Sequence, residues 1–192
     1  MSAVDPDALG LIELDGLARG WRALDAMVKE SPVRVLGANL VEPGKFLILF
    51  GGGVEEVERA QARGLEVGAD AVIDRLVLPF AHPRIWACLR GEELAGDVDC
   101  LGVLEGRTVA ATLEAADAAA KGADVTLVAL RVTPALGGRG WFAVTGAQTD
   151  VEAAVSIGVR RVGPRVHRAE VIPAAHPEML AHVLVAAPFG AR

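Results

Sequence analysis

Cysteine is scarce in this chain of 192 residues, and Cys88 and Cys100 are the two it has. Two thiols cannot build the multi-bridge framework of a small secreted fold, and without a companion histidine pattern they fall short of a zinc site. They read as free thiols. Long apolar runs are missing too. A bilayer crossing needs roughly 18 consecutive apolar residues, and Arg, Asp or Glu interrupts every candidate stretch. The opening segment MSAVDPDALG is acidic and lacks the charged-then-apolar layout of a secretion signal, so a cytoplasmic location is expected. Dense positive charge is also absent. The net charge is −6, and the densest basic stretch, Arg160-Arg161 to Arg168, is short and interrupted. Both facts argue against a nucleic-acid surface. No nucleophile–base set and no metal-ligand spacing recurs along the chain, which disfavours an enzyme.

What the chain has in excess is apolar surface. Hydrophobic residues make up 52% of it, which implies a large core or faces that are buried only on assembly. It also repeats itself. Leu9-Gly10-Leu11-Ile12-Glu13 returns as Leu101-Gly102-Val103-Leu104-Glu105, 92 residues later. The same offset carries Ala23, Asp25, Ala26 and Lys29 onto Ala115, Asp117, Ala118 and Lys121, and Val33 onto Val125. From Gly44-Lys45 and Gly138-Arg139 onward the offset is 94. It maps Val57-Glu58 on Val151-Glu152, Pro79 on Pro173 and His82-Pro83 on His176-Pro177. The second copy thus carries two extra residues, placed by this reading in the loop from Thr133 to Gly137. The chain is a duplication.

Each copy reads in one order. Ala8 to Leu14 is strand-like, and Gly16 to Glu30 carries Leu17, Trp21, Leu24 and Val28 at helical spacing. Val33 to Val41 and Phe46 to Phe50 read as strands on either side of a Pro-Gly turn. Val54 to Val67 is helical with Val54, Val57, Ala60 and Gly64 on one face; Ala71 to Leu78 is a last strand, and His82 to Leu89 a short helix. This order, βαββαβ plus a small helix, predicts an α+β fold of two tandem ferredoxin-like domains, each an antiparallel sheet with helices on one side. The domains are expected at residues 8–90 and 99–187, joined by the charged segment Arg90 to Val98.

With the unit defined, the chain resembles the bacterial microcompartment shell domain in both copies, in its non-permuted arrangement. Leu9-Gly10-Leu11-Ile12-Glu13, Asp25-Ala26-Met27-Val28-Lys29, the glycine-rich turn before the second helix and Val171-Ile172-Pro173 with His176 carry the resemblance. Within the family it is most similar to the tandem-domain class, including the iron–sulfur tandem shell protein of propanediol-utilisation compartments. Glu42-Pro43-Gly44-Lys45 looks like that protein's cluster loop, where a cysteine precedes Pro-Gly-Lys. Glutamate at position 42 removes the thiolates that a cluster needs, so no cofactor is expected. The family's Pro-Arg-Pro-His strand end becomes Pro79-Phe80-Ala81-His82 and Pro173-Ala174-Ala175-His176, which removes an edge arginine from both copies.

The resemblance implies a structural protein, not an enzyme: a homotrimer mimicking a hexamer, packed with hexameric and pentameric tiles, with small metabolites crossing a central pore. It implies pore-lining roles for Glu42, Pro43, Gly44, Lys45, Leu136, Gly137, Gly138 and Arg139, and tile-edge contacts through Lys29, Lys121, His82 and His176. No catalytic, cofactor-binding or metal residues are implied, and neither nucleic acid nor membrane is a partner. Three Glu42 carboxylates about 6 Å apart would cost on the order of 3 kcal/mol per pair at an effective dielectric near 20, unless Lys45 and Arg139 compensate.

Blander readings stand beside these. Glu42 to Lys45 is also an ordinary turn. Lys29 and Lys121 complement their helix dipoles. His82 and His176 fit capping roles at strand-to-helix turns, and Trp21, Trp86 and Trp141 are core or interface anchors. Gly137 to Gly140 lacks the residues of a phosphate loop, and Gly51-Gly52-Gly53 lacks the third glycine of a dinucleotide turn. Two rival functions remain: an oligomeric regulator binding a small ligand at Gly137 to Gly140, and an enzyme with a site between the copies.

Overall fold

The computed structural model describes residues 5–92, 98–132 and 137–184. Among these are eight strands and six helices. In order they are β1 (Ala8–Asp15), α1 (Leu17–Glu30), β2 (Arg34–Val41), β3 (Lys45–Gly52), α2 (Val54–Gly68), β4 (Val72–Pro79) and α3 (Pro83–Leu89). The second series is β5 (Cys100–Gly106), α4 (Val109–Gly122), β6 (Thr126–Arg131), β7 (Gly140–Gly146), α5 (Gln148–Val162), β8 (Val166–Ile172) and α6 (Pro177–Val183). The chain separates into two compact units, one ending at Ala81 and one beginning at His82. Helix α3, which the sequence reading attached to the first copy, therefore belongs to the second unit by its contacts.

Each unit holds one antiparallel sheet of four strands, ordered β2-β3-β1-β4 and β6-β7-β5-β8. Register repeats as the sequence does: Leu11 faces Leu49 and Leu76, and Val103 faces Ala143 and Glu170. Both outer strands β2 and β6 carry a bulge at equivalent places, Val35/Gly37 and Leu127/Ala129. The extra residues of the second copy begin beyond Val132; residues 133–136, Leu136 among them, lie outside the described residues.

Side-chain alternation sends Ala8, Ile12, Leu14, Phe46, Ile48 and Phe50 to the helix side of the first sheet, against Ala23, Met27, Val57 and Ala60. The buried face of α1 differs from the one its large apolar residues suggest. Gly20, Ala23 and Met27 are buried, whereas Trp21 and Val28 are exposed. Close approach explains the exchange: a Cβ at Gly20 would lie 2.2 Å from the Phe46 ring, so only glycine lets α1 seat on β3. In the second unit Leu101, Val103, Val128 and Trp141 form the other face of the sheet and pack with Met179 and Leu180 of α6.

Candidate functional site

The turn from β2 to β3 is Glu42-Pro43-Gly44, with a cis Glu42–Pro43 bond and Gly44 at φ 132. That φ is open to glycine and costly for other residues. Glu42 and Pro43 are exposed, and Gly44 donates its amide to Val41 O at 2.9 Å. Lys45 opens β3 and reaches back across the sheet to Glu13 near the end of β1, with Nζ 3.7 Å from Oε2. Glu13 is fully buried. The second unit repeats the arrangement with other side chains: Arg139, before β7, meets Glu105 of β5 at 2.8 Å. His167 Nε2 lies 3.8 Å from the same Glu105 oxygen. Gly137 and Gly138 both have positive φ and form the turn before Arg139.

Each loop cation is thus braced by a strand carboxylate of its own sheet. Glu13 and Glu105 occupy the same repeat position, and Lys45 and Arg139 another. The sequence reading assigned the loops but missed the braces. Their signal was a glutamate at an inward position of an apolar strand, because a buried carboxylate needs a cation or donors. The glutamate row differs between copies. Across the first sheet it runs Asn39, Leu47, Glu13, Asp74; across the second, Arg131, Trp141, Glu105, Arg168. In the second, the Arg131 guanidinium sits 5.5 Å over the Trp141 ring. That stacking is of the cation–π kind.

The edge residues gather elsewhere. Lys29 pairs with Asp25 one turn back at 2.7 Å, and Lys121 with Asp117 at the same distance. Both pairs sit in the last turns of α1 and α4, where a cation suits the helix dipole. The first pair is exposed and borders a shallow recess lined by Arg22, Lys29, Glu30 and Arg63. The second is not: the Asp117 side chain is 10% exposed, and its other oxygen accepts the His82 amide at 2.7 Å. His82 Nδ1 in turn accepts the Arg84 amide at 3.2 Å and caps α3, while His176 Nδ1 accepts the Glu178 amide at 3.2 Å and caps α6. Burial pushes the His82 imidazole below its ordinary value; Asp117 opposes that shift, and Lys121 and Arg84 reinforce it.

The tryptophans divide three ways. Trp86 is buried in α3, Trp141 is half-buried under Arg131, and Trp21 stands exposed on α1. Cys88 and Cys100 are buried free thiols, and burial raises both above the usual thiol range. That environment suppresses the thiolate and with it nucleophilic use. Among the described residues no helix is long and apolar enough to cross a membrane.

Comparison with known proteins matches this arrangement of two equivalent sheets. The model of the BMC domain matches residues 8–81 and again residues 100–175. The chain is 36% identical over 175 residues to the bacterial microcompartment shell protein PduT of Citrobacter freundii, covering 90% of this chain and 95% of that protein. It is 33% identical over 88 residues to the carboxysome shell protein CsoS1C of Halothiobacillus neapolitanus, covering 44% of this chain and 90% of that one. The crystal structure of a microcompartment protein from Desulfitobacterium hafniense superposes with a TM-score of 0.80 at 33% identity, covering 91% and 98% of the two chains. A fused permuted hexameric shell protein of the RMM microcompartment reaches a TM-score of 0.59 at 23% identity over 80% of this chain and 82% of that one, a likeness in fold alone.

Proposed function

This chain belongs to the BMC-domain family of bacterial microcompartment shell proteins, with the domain present twice, and from that we propose that three copies close into one shell tile around a central opening. Its role is structural, and its place is the shell of a bacterial microcompartment. The repeat limits 8–90 and 99–187 then count six domains per tile. The loops Glu42–Lys45 and Gly137–Arg139 alternate around the opening, small metabolites pass between them, and no chemistry is done on the passing molecule. Other shell proteins, hexameric and pentameric, meet the tile at its rim, near Lys29, Lys121, His82 and His176.

The observation that carries this reading is the brace found twice. Loops built to line an opening need a fixed shape, and Glu13–Lys45 and Glu105–Arg139 fix both loops at the same repeat position. The braces also support a reading of the charge of the opening. Lys45 and Arg139 each stand beside a carboxylate of their own sheet, so Glu42, exposed at the loop tip, sets the sign. The opening favours neutral and cationic solutes over anions of similar size. The first test is physical: the purified protein sediments with the mass of three chains and lays down ordered two-dimensional arrays visible by electron microscopy. The second is electrostatic: Glu42→Gln raises the passage of small anions through arrays or reconstituted shells several-fold. A mass of one chain at high concentration refutes the tile, and anion passage unchanged by Glu42→Gln refutes the charge assignment.

A further inference from the structure

Arg131, half-buried at the end of β6, is a cation with no carboxylate to balance it. Its guanidinium lies over the Trp141 ring, and its Nη1 donates to Leu130 O at 3.3 Å. Among the described residues no carboxylate pairs with it, and its Nε and Nη2 make no hydrogen bond. The titratable group facing it is the Cys88 thiol of α3, the helix held on β6 by the bond of 3.1 Å from Arg84 Nε to Leu127 O. Burial raises that thiol and keeps it neutral, so it supplies no countercharge; burial also lowers the Arg131 guanidinium from its ordinary value. A cation drawn partly out of water carries a cost that an anion beside it offsets.

The other copy shows what is particular to this one. Asn39 and Leu47 hold the repeat positions of Arg131 and Trp141, and neither can form such a pair. Next in the row stands Glu105, a charge that would repel an anion, but Arg139 already holds it at 2.8 Å. Exposed Arg168 ends the row and donates to His167 O at 2.9 Å. This face of the second sheet therefore sets Arg131, Arg139 and Arg168 against Glu105, whereas the first sets Lys45 against Glu13 and Asp74.

We propose that the Nε–Nη2 edge of Arg131, with Trp141 behind it, binds the carboxylate of a small organic acid on this face of the second sheet. That edge presents two parallel N–H groups, which match the two oxygens of one carboxylate. Stacking on the indole fixes the plane of the fork before any ligand arrives. A phosphate dianion asks for a second free cation, and Arg139, the neighbouring one, is engaged by Glu105. The site is complete within one chain and does not rest on the tile reading.

The indole N–H resonance of Trp141, assigned by its absence from Trp141→Phe, reports on the site in the whole protein. Sodium acetate exchanged for sodium chloride at constant ionic strength shifts it along a saturating curve. Arg131→Gln raises the acetate concentration at half-shift at least about tenfold, and Arg131→Lys, which keeps the charge and loses the fork, raises it several-fold. Arg168→Gln removes an equal charge from the far end of the row and changes it less than about twofold. Circular dichroism verifies that each variant is folded, and inorganic phosphate binds more weakly than acetate. A shift that stays linear in acetate, equal losses from Arg131→Gln and Arg168→Gln, or tighter binding of phosphate overturns the site. A one-chain mass in sedimentation brings down the tile and leaves this site standing.

Discussion

The first and second copies solve one packing problem with the sizes reversed. In the first, Gly20 on α1 lies under Phe46 on β3, and a Cβ on the glycine would enter the ring. In the second, the same two repeat positions are Thr112 on α4 and Gly140 on β7, and a Cβ on that glycine would lie 2.8 Å from the threonine hydroxyl. The space between first helix and middle strand is kept, and the bulk has moved from strand to helix. Size is exchanged at other repeat positions too, Trp21 against Leu113 and Trp86 against Leu180. Duplicated domains thus conserve volume per contact while each position drifts freely, which is how native packing density survives large sequence change.

The largest test of this comparison transplants one solution into the other copy. Phe46→Gly alone removes a buried ring and costs about 3–5 kcal/mol. Gly20→Thr alone overpacks the same contact and costs about 1–3 kcal/mol. The double variant rebuilds the second copy's pair in the first, and urea unfolding is expected to recover about 0.5–3 kcal/mol of the summed losses. Strict additivity would show that the two positions do not share one space.

A smaller effect separates the two aspartates. Asp117 holds the His82 amide and Lys121 in a nearly buried setting, so Asp117→Ala lowers stability by about 1–3 kcal/mol. Asp25→Ala removes an exposed pair and changes the stability of the dilute single chain by less than about 0.5 kcal/mol. Equal losses from the two substitutions would break the distinction between the nearly buried and the exposed pair.

The smallest effect is a pH dependence confined to the second unit. Folding favours neutral His82, because burial lowers its imidazole from the ordinary 6.5 and its Nδ1 must stay unprotonated to accept the Arg84 amide. The unfolded chain takes up the proton first. The stabilisation is therefore complete above pH 6.5 and is lost as pH falls through the lowered value. In thermal unfolding between pH 8 and pH 5, His82→Asn keeps a capping side chain and flattens part of the acid-side decline. An unchanged pH profile in that variant removes His82 as its source.

Most of the fold was legible before any coordinates, for a physical reason. A duplicated sequence samples each strand and helix twice, so the period of one copy supports the other, and every strand of the first copy ends within two residues of its reading. Of the four apolar positions read on α1, Leu17 and Leu24 pack against the core while Trp21 and Val28 are exposed, and close contact with Phe46 admits only glycine at position 20. The braces were half legible. Lys45 and Arg139 were assigned to their loops, but Glu13 and Glu105 were seen only as repeat markers, since cross-strand partners depend on register. The seat of α3 left no local trace at all. Periodicity says that a short helix is amphipathic and cannot say which of two similar sheets it covers.

That seat has a kinetic corollary. Because α3 and α4 share one covalent chain, diluting the protein does not loosen their contact; the tether holds the effective concentration at the millimolar scale or above. Contacts between separate chains, by contrast, answer to how much protein a cell makes. Fusing the two domains would leave a ring three seams to close where six separate domains would leave six, so closure would set in at lower expression and over a narrower range.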